Sequence, residues 1–267
     1  KAQIKRDIAY INLQKEQGRL TSGEADYWKE KIGNLQEYQY GYHKGWSMIL
    51  DTLTWPVLIM MLICIGIAPI FAGEYQSKCD SLILCMKYGR SKLILAKIIS
   101  GWLYATGVYW GITLIYSSIY MIFLGTQGAD LPIQLKYPAM SVGYNLTMGE
   151  AVGITLLLGY FFTLGIMGIT LFMSALLKNT YAVIIVAFLL IIIPTFLSLD
   201  TGGYVWSHVL SLLPPKIADF SFQSYTAYSI GNIVLSWPVM AILVNAIVAV
   251  LCSVLGYIIF RKHQVNK

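Results

Sequence analysis

The sequence predicts an all-α fold, a polytopic helical membrane protein, on three observations. Hydrophobic residues make up 57% of the 267-residue chain and charged residues only 12%, where a soluble domain carries about 25% charged residues. Five apolar stretches are each long enough to cross a bilayer, which takes about 20 residues of helix. Lysine and arginine collect at the ends of those stretches and leave their interiors empty. The net charge of +6 does not point to nucleic acid, because the basic residues flank apolar runs and form no single basic face.

Residues 1–46 are polar yet patterned. Ile4, Ile8 and Ile11 recur at helical spacing, as do Trp28, Ile32 and Leu35. Gly18 to Gly23 breaks the pattern, and Thr21-Ser22-Gly23-Glu24 reads as a capping box that restarts a helix. Thr21 would accept from the Glu24 amide while the Glu24 side chain reaches back. The expectation is a short helical hairpin outside the membrane, either a lid that gates or binds a partner or, more simply, a spacer on the outer ends of the spans.

The remainder, 47–267, is the transmembrane domain, with spans at about 49–71, 98–124, 151–177, 181–199 and 233–260. Pro56 and Pro194 predict kinks, tolerable where neighbouring helices satisfy the freed backbone groups. Between the first two spans lies a charged island, 73–97, holding Lys78, Lys87, Arg90, Lys92 and Lys97. Basic residues in short loops mark the cytoplasmic side, so this island faces the cytosol. The loop 125–150 then lies outside with Lys136 as its one basic residue, and 178–180 makes a tight turn inside. The segment 200–231 lies outside with Lys216, and the basic carboxyl end, Arg261 to Lys267, is cytoplasmic. This places the amino end outside. An earlier span ahead of Lys1 is therefore expected, six in the complete protein.

Several function classes are disfavoured. A charge at the bilayer centre costs at least about 2.5–3.5 kcal/mol. Asp51 and Glu150 sit at span edges, and the deep interiors hold no ionisable residue of the kind an ion-driven carrier uses. His43, His208 and His263 fall in separate segments without CxxC or HExxH spacing, so no metal site is expected. Cys64, Cys79, Cys85 and Cys252 imply no disulfide framework. No GxxxxGK[ST] loop is present, so the chain itself is expected to be no ATPase and no enzyme. Trp102, Tyr109, Tyr116, Tyr120 and Phe123 follow at spacings of seven, seven, four and three, along one face of the second span. Such a stripe could line a pathway for a hydrophobic or peptidic substrate; more often such a stripe packs against neighbouring helices or sits at the lipid interface.

A span ending in Phe71-Ala72-Gly73-Glu74-Tyr75, then Asp80-Ser81-Leu82-Ile83-Leu84, Tyr88-Gly89-Arg90-Ser91-Lys92 and a lysine opening the next span resembles the permeases of type-2 ABC exporters. The likeness is strongest over 70–100, extends through the span plan to 267, and is absent from 1–46. Lys78-Cys79-Asp80 departs from the Gly-Thr pair many of those permeases carry. The resemblance implies a permease domain at 47–267 in the plasma membrane, coupled to separate cytosolic nucleotide-binding subunits, with ATP and Mg on that partner and no cofactor in this chain. It also implies a second permease copy. Glu74, Asp80, Leu82, Tyr88, Gly89, Arg90 and Lys92 would form the coupling segment, while Lys87 and Lys97 read as headgroup anchors. Short re-entrant helices would occupy 200–231, with Trp206, Leu210, Leu213 and Phe220 at the interface. The cargo implied is amphiphilic or peptidic, an antimicrobial peptide among the candidates. The alternative is a non-transporting sensor or assembly scaffold whose outer segment binds a ligand.

Overall fold

The computed structural model describes residues 2–33, 40–52, 56–79, 85–86, 88–89, 91–137, 142–197, 203–219, 222, 224–231 and 233–262. It is mostly helical. The helices are α1 (Ala2–Glu16), α2 (Ser22–Gly33), α3 (Lys44–Thr52), α4 (Pro56–Ile67), α5 (Pro69–Gln76), α6 (Lys92–Leu124), α7 (Met148–Leu176), α8 (Thr180–Phe196), α9 (Gly203–Ser211) and α10 (Trp237–Lys262). A small antiparallel sheet pairs β1 (Ala227–Ile230) with β2 (Ile233–Ser236). Among the described residues four helical stretches are long and apolar enough to cross a membrane: Pro56–Gln76, Lys92–Leu124, Met148–Leu176 and Trp237–Lys262. These are the helices of a multi-pass membrane protein. Thr180–Phe196 is apolar but only 17 residues long.

The chain divides into two compact units. The first comprises 1–54, 113–158 and 198–242, and the second 55–112, 159–197 and 243–267.

In the first unit α1 and α2 form the hairpin expected from the sequence. The capping box closes as its residue types require: Thr21 N donates to Glu24 Oε2 at 2.9 Å and Glu24 N to Thr21 Oγ1 at 3.4 Å. Ile11, Trp28 and Ile32 are buried, and Ile4 and Ile8 half-buried; Leu35 lies outside the described residues. Trp28 packs edge-on against Tyr144 and Tyr225, with centroids 5.1 and 5.3 Å apart. Lys136, nearly enclosed, pairs with Asp51 and donates to Ser47 O at 2.9 Å. Burial pulls its ammonium below the usual lysine value, and Asp51 opposes that shift. Gly128 turns the chain at φ 89°; a Cβ there would lie 2.3 Å from Tyr42 O, so no other residue fits. A second capping box, not singled out from the sequence, opens α7, with Thr147 N to Glu150 Oε2 at 2.9 Å and Glu150 N to Thr147 Oγ1 at 3.2 Å.

The second unit is built around α7. Ile63, Ile67 and Phe71, Ile94 and Ile98, Leu164 and Leu171, and Ala249 and Phe260 share one apolar core. Gly168 lets α10 approach closely: a Cβ at this position would meet Ala249 Cα at 2.7 Å.

Three boundaries differ from the sequence expectation. The first apolar helix begins at Pro56, not 49, because Ile49 to Thr52 end α3. Pro56 therefore opens a helix, where a missing N–H costs nothing, and makes no kink. The interruption falls at Pro69, which separates α4 from α5. Pro194 does sit inside α8, two residues before its end. Second, the last span starts at Trp237. Ile233 to Ser236 are strand, paired antiparallel with β1 from Ile230 opposite Ile233 onward, with Gly231 at φ 61° between the strands. Third, the island 73–97 is helical at both ends, since Gly73 to Gln76 close α5 and Lys92 to Lys97 open α6.

Candidate functional site

The expected coupling residues begin on α5. Glu74 and Lys97 form an ion pair between α5 and α6, with side chains 15% and 22% exposed. Lys97 Nζ also donates to Ile70 O at 2.7 Å. Lys97 is thus tied within the protein and not extended as a free headgroup anchor. Glu74, expected from the resemblance to belong to the coupling segment, is the counter-charge of a mostly buried lysine. Among the described residues only one carboxylate oxygen is used: Glu74 Oε2 is buried and meets no hydrogen-bond donor there.

Beyond α5, Lys78 takes a left-handed backbone at φ 57° as the chain leaves the helix. Cys79 and Cys85 are exposed. Tyr88 is 51% exposed, with Lys92 Nζ 4.7 Å from its ring centroid, and Gly89 is buried. Asp80, Leu82, Lys87 and Arg90 lie outside the described residues.

The aromatic stripe is engaged in different ways along α6. Trp102 Nε1 donates to Ser253 Oγ at 3.1 Å. Tyr109 is buried and sits over Gly159, where a Cβ would lie 2.4 Å from its hydroxyl. Tyr116 and Tyr120 meet edge to face at 6.0 Å, and Thr52 Oγ1 reaches Tyr120 Oη at 3.5 Å. Phe123 is 82% exposed. Packing accounts for Trp102 and Tyr109. The segment 200–231, expected to carry short helices, contains α9 and a 3-10 turn, Pro214–Asp219. Leu210 is buried there, while Trp206 and Leu213 are partly exposed; Phe220 lies outside the described residues.

A polar stripe on α7 was missed. Thr163, Thr170 and Ser174 are fully buried, and their spacings of seven and four put them on one face, which is the signal that would have found them. Ser174 Oγ donates to Ala68 O at 2.7 Å and accepts from Phe71 N and Ala72 N at 3.0 Å each. One hydroxyl thereby repairs the backbone opened at Pro69. Thr170 Oγ1 lies 3.3 Å from Cys64 Sγ.

Among the described residues no group of three or more His, Cys, Asp or Glu could hold a metal ion. No curated protein and no solved structure matches the chain. A family model does, over residues 27–265, and its description is that of a protein of unknown function. That match runs from within α2 past the carboxyl end of α10, and the chain belongs to this family, DUF2705.

Proposed function

We propose that this chain is the transmembrane subunit of an ATP-driven exporter of the type-2 ABC class, moving an amphiphilic or peptidic substrate out of the cell. The observation that carries the reading is the island between the first two apolar helices: the 70–100 motif resembles that class, and the Glu74–Lys97 pair fixes the helix ends from which the island leaves. A force delivered to the island by a soluble partner would pass to α5 and α6 together, since a charge-assisted pair joins them. Tyr88 and Lys92 offer an exposed aromatic and a cation for docking. In this reading the island and the carboxyl end face the cytosol, ATP and Mg act on the partner, and two permease chains form the pathway. Of the aromatic stripe, Tyr116, Tyr120 and Phe123 remain candidates for its lining.

The second reading, a sensor or scaffold with a ligand-binding outer segment, draws support from the first unit, which has its own capped hairpin, sheet and aromatic core. The two separate on the ATPase. Arg90→Glu in the reconstituted complex is expected to abolish substrate-stimulated ATP hydrolysis while insertion stays normal. Losing one member of a buried, hydrogen-bonded charge pair costs about 2–5 kcal/mol of binding, roughly 30-fold or more in ATPase-subunit retention. Wild-type turnover and retention would make the island a membrane anchor and remove the basis of the exporter reading.

A further inference from the structure

In α9 the usual sidedness of a surface helix is reversed. A helix facing water buries its apolar side and exposes its polar one. Here Tyr204, His208 and Ser211, at spacings of four and three, share one face, and that polar face is turned into the first unit. Tyr204 Oη donates to Glu24 Oε1 at 2.8 Å, His208 Nε2 lies 3.0 Å from Ala227 O, and Ser211 Oγ lies 2.7 Å from Tyr228 Oη. Gly203, Ser207, His208 and Ser211 border a cavity of about 260 Å³ that also reaches Tyr10 and Arg19. The opposite face carries Val205 and Val209, 71% and 61% exposed, with Trp206 and Leu213 partly exposed beside them. Leu210 is buried on the inner side. The helix holds no Asp, Glu, Lys or Arg.

What covers the apolar face follows from its depth. Trp237 opens α10, one of the helices long and apolar enough to cross a membrane. Its Nε1 donates to the carbonyl of Ser211, the last residue of α9, at 3.2 Å, and its side chain is buried. Tryptophan at the end of a span sits at the level of the lipid headgroups. The reach of one side chain thus holds the end of α9 at the level where α10 enters the bilayer, and the first turn of α10 likewise exposes Val239. A second copy or a peptide could also meet apolar side chains, but only lipid is present at that depth wherever α10 spans.

We propose that α9 is a membrane-interface helix, lying on the bilayer beside the start of α10 with Val205, Trp206, Val209 and Leu213 against the acyl boundary and Tyr204, His208 and Ser211 against the protein. Helices of this kind bury their apolar face by about 5–10 Å in the boundary region. With no Asp, Glu, Lys or Arg on α9, the contact is apolar and indifferent to headgroup charge. Tyr204 links this helix to Glu24 in the first turn of α2, so α9 seats the α1–α2 hairpin on the membrane surface. The inference requires that α10 spans a bilayer and does not depend on ATP-driven transport, so either proposal stands or falls alone.

The full-length chain, with Cys79, Cys85 and Cys252 replaced by serine, is reconstituted in phosphatidylcholine and in phosphatidylglycerol nanodiscs with a nitroxide at Val209→Cys or Val205→Cys. Collisions with oxygen, which concentrates in lipid, are compared with those of a water-soluble nickel chelate. Asp26→Cys, at a side chain 72% exposed, is the water-facing control. Oxygen collisions are expected to exceed chelate collisions at both α9 positions, the reverse of Asp26→Cys, and equally in the two lipids. Should Val209→Cys fail to fold, Val205→Cys alone decides. Chelate collisions as frequent as at Asp26→Cys would mean that the face meets water, and shielding from both probes would mean that protein covers it; either result overturns the proposal.

Discussion

Glu74 and Lys97 stand 23 positions apart, on either side of the charged island, and meet as an ion pair whose groups are mostly withdrawn from solvent. Sequence alone shows an acid and a lysine near a membrane surface; it does not show that each is the other's counter-charge, because pairing depends on how α5 and α6 cross. Removing one partner of a buried pair typically costs about 3–5 kcal/mol, whereas replacing both with apolar groups is often neutral. Residual exposure places this pair at the low end. Glu74→Gln is expected to destabilise the folded protein by about 3 kcal/mol, and Glu74→Leu with Lys97→Met to recover most of that loss. Unfolding measured by steric trapping in bicelles decides it: a double variant as weak as the single one means the pair has no mutual energy. Tyr228 offers a titratable counterpart outside the membrane. Its hydroxyl lies 2.7 Å from Ser211 Oγ and donates to His208 O at 2.7 Å; burial pushes it up to about 12, with the Ser211 contact opposing. The folded state thus keeps a proton that the unfolded chain releases near pH 10. Stability contributed by Tyr228 falls as pH rises from 10 to 12, by about 2–3 kcal/mol over two units. Tyr228→Phe is less stable at pH 8, where it lacks both hydrogen bonds, and the gap to wild type should shrink through that window. A gap in melting temperature that stays constant from pH 8 to 12 would exclude a buried phenol.

The interruption at Pro69 is the clearest case of an element completed by its neighbour. Proline cannot donate to the carbonyl four residues back, and the helix divides at Ala68. In water the loose backbone groups would hydrate; among apolar helices each unsatisfied group costs several kcal/mol. Ser174 supplies both a donor and an acceptor at that point. Ser174→Ala therefore strands a carbonyl and two amides, at about 1–3 kcal/mol each before relaxation. The expected loss is at least about 3 kcal/mol, with Ser174→Thr close to wild type because the hydroxyl stays. If alanine proves as stable as serine in the same trapping assay, water or a backbone shift replaces the hydroxyl and the repair is incidental. The sequence gives only fragments of this arrangement. Pro69 lies in an unbroken apolar run where Pro56 and Pro194 drew notice first, and Ser174 is one small polar residue in a long span. The β-hairpin was legible in principle from Ile230-Gly231-Asn232-Ile233. It was hidden because an apolar run continues through Ile233 and Val234 into α10, and composition cannot tell a strand there from the start of a span.

At the scale of the whole molecule, the long apolar helices were legible from composition and run length because lipid imposes one requirement on every spanning residue. The first unit was not. It is assembled from three separated stretches, 1–54, 113–158 and 198–242, and its cavity joins a turn near Arg19 to α9 some 190 positions later; no local pattern encodes that juxtaposition. Sidedness is the remaining whole-molecule property, and the proposed topology takes it from the distribution of lysine and arginine among the loops. If the island is cytosolic, α2 lies on the opposite face of the membrane in the proposed topology. The cysteines make this measurable. Cys79 and Cys85 are exposed and Cys64 is buried, so accessibility to reagent, and not burial, decides whether the first two react. A membrane-impermeant maleimide on intact cells is expected to spare Cys79 and Cys85 and to modify both after permeabilisation, with Cys64 unmodified throughout. A cysteine placed at Asp26, whose side chain is 72% exposed, is expected to react on intact cells in a background where Cys79 and Cys85 are serine. Modification of Cys79 or Cys85 from outside, with Asp26→Cys protected, would invert the topology. The island could then meet no cytosolic ATPase, and the exporter reading would fall with it.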